Sequence, residues 1–171
     1  MLPKFAVLVC AFTCVAGCAA RGGVITQSPS NVNVGTYSRV AVNVVSGVQE
    51  DVTAESARLE GQIVEELRKT RRFGEVGTLA ADGNASPPGT LRLTATITEI
   101  RKVSGGKRFF AGAFAGRAKV TLKVQLVEAG GSVIEEQVVS GQSGGTGLSG
   151  GTNDALSQAA KAIAKWLGPR A

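Results

Sequence analysis

Apolar and polar residues alternate along several stretches of the chain, with the period typical of β-strands. This alternation runs from Leu91 to Val103 and again from Arg117 to Ala129, so each stretch predicts a strand with one buried face. Arg39 to Val45 is a compact β-branched run, Glu75 to Leu79 suggests a short strand, and Val133 to Ser140 predicts the last strand. The predicted inward positions are Leu91, Leu93, Ala95, Ile97, Val120, Leu122, Val124 and Leu126.

Two other stretches have the period of an amphipathic helix. The first is expected to begin with Thr53 as its N-cap and to end at Gly74, after a basic last turn. The second has Asn153 or Asp154 as its predicted cap and ends at the sequence Gly168-Pro169. Their apolar stripes are Leu59, Ile63 and Leu67 in the first helix, and Leu156, Ala160, Ile163 and Leu167 in the second.

The order of these elements predicts one α+β domain, or an α/β sandwich, over residues 39–171. We expect a mixed sheet of about four or five strands with two amphipathic helices, in the order β-α-(β)-β-β-β-α. Gly130-Gly131 predicts a two-residue turn that joins the last two strands as a hairpin. The sequence has no internal repeat with a period of about 20 to 50 residues, and its length leaves no room for a second domain.

The first residues have the form of an export signal. Lys4 precedes a twelve-residue, mainly apolar run from Phe5 to Ala16, which is shorter than the roughly 20 residues that a membrane-spanning helix needs. Val15-Ala16-Gly17-Cys18 resembles a bacterial lipobox, although Val15 stands where leucine is commoner. This resemblance implies removal of residues 1–17 and diacylglycerol modification of Cys18. An ordinary signal with a chance cysteine, or a buried core helix, are the alternatives.

A lipidated Cys18 would tether the domain to a membrane by several acyl chains. Ala19 follows where the resembled lipoprotein signals use aspartate for inner-membrane retention, so the expected location is the outer membrane, with the domain facing the periplasm. Residues 18–38 are rich in Gly, Ser, Thr and Asn and predict a flexible tether.

An apolar segment between the two long strands is the main candidate for a contact surface. Residues 109–116 are all apolar or glycine and are flanked by basic residues. The segment could enter a lipid interface, form part of an oligomeric pore, contact a partner protein, or fold back on the domain's own core. The candidate contact residues are Lys107, Arg108, Phe109, Phe110, Phe114 and Arg117.

Positive charge is concentrated in the same part of the chain. From Arg92 to Lys123 there are eight basic residues and one acid, Glu99. Such a face would favour lipid headgroups, lipopolysaccharide phosphates or acidic protein surfaces, and a solvated strand face is the alternative. Nucleic acid is not an expected partner, because the location and the lack of interleaved aromatic residues disfavour it.

Catalytic and cofactor chemistry has little support in the sequence. The chain has no histidine, and Cys18 would be its only cysteine after export. Glu135 and Glu136 are neighbours on a strand and should point to opposite faces. Residues 145–150 match G-x-G-x-x-G but lack the expected βαβ context, so they favour a connector over a dinucleotide site. We therefore expect no enzyme, no cofactor and no metal.

Residues 107–167 carry a resemblance to a bacterial lipoprotein family catalogued as domain of unknown function 4410, and the resemblance covers roughly Arg39 to Leu167. The similar features are an aromatic-glycine segment at 107–117, the alternating strand from Val120 to Glu128, and a glycine-rich stretch before a last helix, from Gln142 to Leu167. Family members often have aspartate and Thr-Gly in the hairpin, where this chain has Glu128 and Gly130-Gly131. The resemblance implies a lipoprotein and carries no established activity.

The leading hypothesis is a lipid-anchored outer-membrane protein whose non-catalytic periplasmic domain binds an envelope partner protein. The alternative is a membrane-active or oligomeric, pore-type assembly that uses the apolar segment 109–116. A hydrolase with carboxylates assembled only by the fold is a third hypothesis, and it requires an acid-lined cleft.

Overall fold

The computed structural model describes residues 21–26, 33–79, 87–103, 116–144 and 151–168. The strands are β1 (Arg21–Thr26), β2 (Arg39–Ser46), β3 (Glu75–Thr78), β4 (Thr90–Arg101), β5 (Lys119–Val127) and β6 (Val133–Gln142). The α-helices are α1 (Thr53–Lys69) and α2 (Thr152–Leu167), and a 3-10 turn lies at Val34–Thr36.

The six strands form one mixed sheet in the order β1-β6-β5-β4-β2-β3. The pairs β4-β5, β5-β6 and β6-β1 are antiparallel, whereas β2 runs parallel to both of its neighbours, β3 and β4. Helix α1 connects β2 to β3 as a crossover, which allows these two neighbouring strands to run parallel. The predicted α+β class and mixed sheet are therefore confirmed, with six strands instead of four or five.

Strand β1 lies where the sequence predicted a tether. Arg21–Thr26 pairs with β6 along its whole length, from Arg21 opposite Gln142 to Thr26 opposite Gln137. The prediction of a flexible tether is thus wrong for these six residues. Their two glycines and short length gave no periodic signal, and only the neighbouring strand and helix supply the contacts that order them.

The core lies between one face of the sheet and the two helices. All eight predicted inward positions of β4 and β5 are fully buried, at 0% exposure. The apolar stripes of both helices are buried against them, and the helices also contact each other. Both periodicities in the sequence therefore identified the surfaces that form the core.

Helix α1 begins one residue earlier than its predicted cap implies, and α2 begins two or three residues earlier. The N-cap of α1 is Val52, and the carboxylate of Asp51 accepts hydrogen bonds from the amide and hydroxyl of Thr53, at 3.0 and 2.8 Å. The N-cap of α2 is Gly151, and the Asp154 carboxylate accepts from the amide of Gly144 instead of capping its own helix. The predicted caps are wrong because these side chains have other partners: the Thr53 hydroxyl donates to Asp51, and Asn153 and Asp154 accept from Arg58 and from the amide of Gly144.

Side chains of α1 protect the β2-β3 edge of the sheet. The Arg68 guanidinium donates to the carbonyl of Val76 in β3, with distances of 3.0 Å from Nε and 2.8 Å from Nη2. The amide of Val44 in β2 donates to the Glu60 carboxylate, at 3.1 Å. Backbone groups that would otherwise be open for pairing with another chain are thus occupied on this edge.

Helix α2 lies very close to β6 and β1 at two glycines. A Cβ on Gly141 would collide with the carbonyl oxygen of Ala155 and lie 2.6 Å from the backbone nitrogen of Ala159. A Cβ on Gly22 would collide with the carbonyl oxygen of Gln158. Because the obstructing atoms are helix backbone, a side chain at either glycine could be accommodated only by moving the whole helix.

We expect Gly141→Ala to lower the free energy of unfolding by about 3 kcal/mol, since overpacking against backbone has no cheap relief. The matched control is Gly77→Ala in β3, where a Cβ meets nothing within 4 Å; this change should stay within about 0.5 kcal/mol. Urea unfolding followed by circular dichroism measures both. Equal stabilities of the two variants would contradict the close approach.

A hydrogen bond joins the turn before β2 to the end of β5. The Tyr37 hydroxyl donates to the Glu128 carboxylate at 2.7 Å, across 91 residues of sequence. This hydrogen bond, with the smaller effects of burial and of the carboxylate charge, raises the pKa of Tyr37 above its usual value. The contribution to stability is therefore present at neutral pH and is lost as the pH rises through the folded-state pKa.

Since Tyr37 is the only tyrosine, absorbance near 295 nm reports its ionisation directly. We expect a pKa above about 10 in the folded protein, and a lower value in Glu128→Ala, which removes both the acceptor and the charge. Glu50→Ala is the control, because Glu50 lies outside the contacts of Tyr37. An unchanged Tyr37 titration in Glu128→Ala would show that the hydrogen bond is not formed.

Candidate membrane and partner surface

One end of the sheet carries a row of aligned residues, which we call the terminal row. Arg101 at the end of β4 is opposite Lys119 at the start of β5, Lys119 is opposite Gln142 of β6, and Gln142 is opposite Arg21 of β1. Neighbouring strands lie about 4.8 Å apart, so the row extends about 14 Å across the sheet. Three of its four members are basic.

The lysines near the terminal row are paired with acids. Lys119 contacts the Glu99 carboxylate at 2.8 Å, and the Thr121 hydroxyl donates to the same oxygen at 3.0 Å. Lys102 contacts Glu55 of α1 at 3.1 Å. The hydrogen bond from Lys119 is the main cause that holds the pKa of Glu99 below its usual value, and the bond from Thr121 adds to it.

Two arginines at this end of the sheet, unlike the lysines, lack an acidic partner among the described residues. Arg101 is exposed and Arg117 is half-buried, and neither forms an ion pair within the part of the chain that the structure describes. The chain approaches β5 through Gly116, whose φ of 76° is in the left-handed region. A Cβ at Gly116 would lie 2.9 Å from Nη2 of Arg101, so the Arg101 guanidinium packs on the backbone just before Arg117.

Of the residues predicted to form a contact surface, Arg117 alone lies within the described ranges. Lys107, Arg108, Phe109, Phe110 and Phe114 lie outside them, as does Cys18. The described residues on either side of the apolar segment, Arg101 to Val103 before it and Arg117 to Lys119 after it, lie at the terminal row. The pairing of β4 with β5 therefore fixes both flanks of that segment at one end of the sheet.

One acid from the neighbouring strand β6, Glu136, lies within the predicted basic surface. Lys123 contacts the Glu136 carboxylate of β6 at 3.0 Å, and Gln125 donates to the same group at 2.8 Å. The hydrogen bonds from Gln125 and Lys123, in that order, lower the pKa of Glu136. Glu136 of β6 therefore neutralises part of the positive charge between Arg92 and Lys123. Because Glu136 lies outside that stretch of sequence, a count of charges along the chain did not include it.

The face of the sheet opposite the helices carries mostly polar side chains. No described helix packs on it, and its strands β4, β5 and β6 present half-exposed residues. The polar residues of these strands on this face are Arg92, Thr94, Thr96, Lys119, Thr121, Lys123, Gln125, Glu136, Ser140 and Gln142. An open polar face of this kind is available to a second protein surface.

The carboxylates that the sequence singled out do not form a pair. Glu135 is buried on the helix side, where Gln137 donates to it at 3.2 Å, and Glu136 is on the opposite face. This confirms the prediction that the two side chains diverge. In the described ranges, no group of three or more Cys, Asp or Glu residues is arranged to hold a metal ion. The G-x-G-x-x-G match at 145–150 lies outside those ranges.

No helix in the described part of the chain has the length and apolarity needed to cross a membrane.

The fold is similar to that of PelC. Two solved structures of PelC from Paraburkholderia phytofirmans, one of them a single-substitution variant, superpose with TM-scores of 0.55 and 0.54. Each is 17% identical to this chain, and each match covers 87% of this chain and 99% of the PelC chain. Both structures are dodecamers. No family model and no curated protein matches the chain.

At 17% identity this similarity establishes a common fold and nothing more about residues or activity. It does cover almost the whole length of PelC. The fold described above is therefore similar to one that occurs in a dodecamer.

The lowered pKa values of Glu99 and Glu136 predict a small loss of folding stability as the pH falls into the acid range. A lowered pKa means that the contribution is present above the ordinary glutamate pKa and is lost as the pH falls through the folded-state value. Glu99 is exposed and Glu136 is half-exposed, so solvent screens both pairs and each should contribute only about 0.5 kcal/mol.

We expect Glu99→Gln/Glu136→Gln to be less stable than the parent at pH 7 and to lose less stability between pH 5 and pH 3. The measurement is the free energy of urea unfolding across that range. Glu50→Gln is the matched control, because Glu50 has no side-chain hydrogen bond or ion pair to another described residue. Parallel pH profiles for the double variant and the parent would rule out these pairs.

Proposed function

We propose that this protein is a lipid-anchored, non-enzymatic component of the bacterial envelope that assembles with copies of itself. The observation that carries this proposal is the similarity of its fold to PelC, which crystallises as a dodecamer. The predicted lipidation of Cys18 places the assembly on a membrane, and the absence of histidine from the sequence is in keeping with a non-catalytic role.

Self-assembly is also compatible with the surfaces of the domain. A head-to-tail assembly of identical chains requires a repeated contact between two different surfaces of the same chain. The β2-β3 edge is closed by Arg68 and Glu60 of α1, so edge-to-edge pairing is disfavoured there. The open sheet face and the outer edge of β1 are not covered by any described helix, and they are the surfaces left for such a contact.

This proposal favours the oligomeric hypothesis over binding of a different envelope protein, because only the oligomer has a structural precedent on the same fold. Contact with a second envelope protein remains the second candidate, supported by the same open sheet face. The apolar residues 109–116 would serve either assembly, as a segment at the membrane or at the contact between subunits.

Light scattering and native mass spectrometry of the lipidated protein, extracted in mild detergent, test self-assembly. We expect one defined oligomer well above the mass of a single chain. Crosslinking in intact cells, followed by peptide mass spectrometry, distinguishes the two candidates. Crosslinked bands that contain peptides of this chain alone support self-assembly, whereas a monomer crosslinked to one other envelope protein overturns it.

Cys18→Ser tests the anchor. We expect the variant to lose the acyl mass shift seen by mass spectrometry of the mature chain and to be retained with an uncleaved signal, because signal peptidase II cuts before the modified cysteine. Cys14→Ser is the matched control, since residue 14 lies within the predicted signal. A Cys18→Ser chain with unchanged processing and mass would overturn the lipoprotein assignment.

A further inference from the structure

The distance along the chain between the proposed anchor and the sheet is very short. Arg21, the first residue of β1, is the third residue after Cys18. A fully extended chain advances at most about 3.6 Å per residue, so the Cα of Arg21 lies within about 11 Å of the Cα of Cys18. If Cys18 is acylated, as proposed above, the start of β1 must lie near the lipid headgroups.

Strand β1 cannot move independently of the domain, and this transfers the constraint to the whole sheet. It pairs with β6 over six residues, and Gly22 lies directly against the backbone of α2. Arg21 belongs to the terminal row, because the strand register aligns it with Gln142, Lys119 and Arg101. The row is therefore the end of the sheet that lies nearest to the membrane.

The charges at this end fit a phosphate-rich surface. The lysines are paired with Glu99 and Glu55, but the guanidinium groups of Arg101 and Arg117 form no ion pair with any described residue. Arg101 is about three strand spacings, or 14 Å, from Arg21 across the sheet. Guanidinium groups bind phosphate oxygens in a bidentate manner, and lipid phosphates lie at the same depth as the acylated cysteine.

We infer that the terminal row faces the bilayer and that Arg101 and Arg117 bind the phosphates of anionic lipid headgroups. The acyl chains hold the protein on the membrane, and the two arginines fix which end of the domain meets it. The opposite end of the sheet, with the β5-β6 turn, then points away from the bilayer. This inference rests on the proposed lipidation of Cys18 and adds an orientation and a partner to it.

The test measures which end of the domain is close to lipid. A single cysteine is introduced into the mature lipidated protein, either as Gln49→Cys between β2 and α1, near the terminal row, or as Ala129→Cys in the β5-β6 turn at the other end. Both positions are exposed, and Cys18 has no free thiol once it is acylated. Each variant is labelled with a fluorophore and reconstituted into vesicles that contain spin-labelled lipids as quenchers.

We expect stronger quenching at residue 49 than at residue 129 in vesicles that contain phosphatidylglycerol. This difference should fall on Arg101→Gln/Arg117→Gln and should be restored by Arg101→Lys/Arg117→Lys, which keeps the charge. It should also fall at high salt, since the Debye length is about 3 Å at 1 M. The matched control is Lys161→Gln/Lys165→Gln, which removes the same charge from exposed positions on α2 and should leave the difference unchanged.

Each failure has a separate meaning. Equal quenching at the two positions would overturn the orientation. A difference that is unaffected by the arginine substitutions and by salt would overturn the role of Arg101 and Arg117. Loss of the protein from the vesicles, together with a mature chain that lacks the acyl mass, would instead refute the proposed anchor itself.

Discussion

The close approach of α2 to the sheet is the constraint on which the rest of the structure depends. Gly141 of β6 and Gly22 of β1 leave no room for a side chain beneath the helix backbone, so α2 lies directly on both strands. This contact orders the edge strand β1, which has little strand propensity of its own. The inner face of α2 is rich in alanine, and Ala155, Ala159 and Ala160 are buried there.

Because β1 is held in this way, the predicted lipid anchor has a defined position relative to the domain. A flexible tether of twenty residues would leave the domain free to rotate over a membrane. A strand that begins at the third residue after Cys18 restricts it to one face. With the anchor proposed at Cys18, Arg101 and Arg117 would lie on the side that faces the headgroups. Both flanks of the apolar segment lie at the same end of the sheet.

The periodic parts of the chain were predictable, and the irregular parts were not. Alternation in β4 and β5 and the stripes of α1 and α2 identified core residues correctly, because burial of apolar area dominates their placement. Strand β1 and the N-caps at Val52 and Gly151 were missed. In these places the outcome depends on a hydrogen-bond partner or a neighbouring element that the local sequence does not specify.

For the contact surface, the sequence by itself determined the composition: an apolar segment with basic flanks and no histidine. It also predicted an export signal over residues 1–17, before Cys18. Only the tertiary structure decided which of the basic groups are neutralised. Glu136 pairs with Lys123 across two strands, and Glu55 of α1 pairs with Lys102, whereas Arg101 has no such partner among the described residues. Charge pairing depends on distances of a few ångströms, and the register of the sheet and the packing of α1 set those distances.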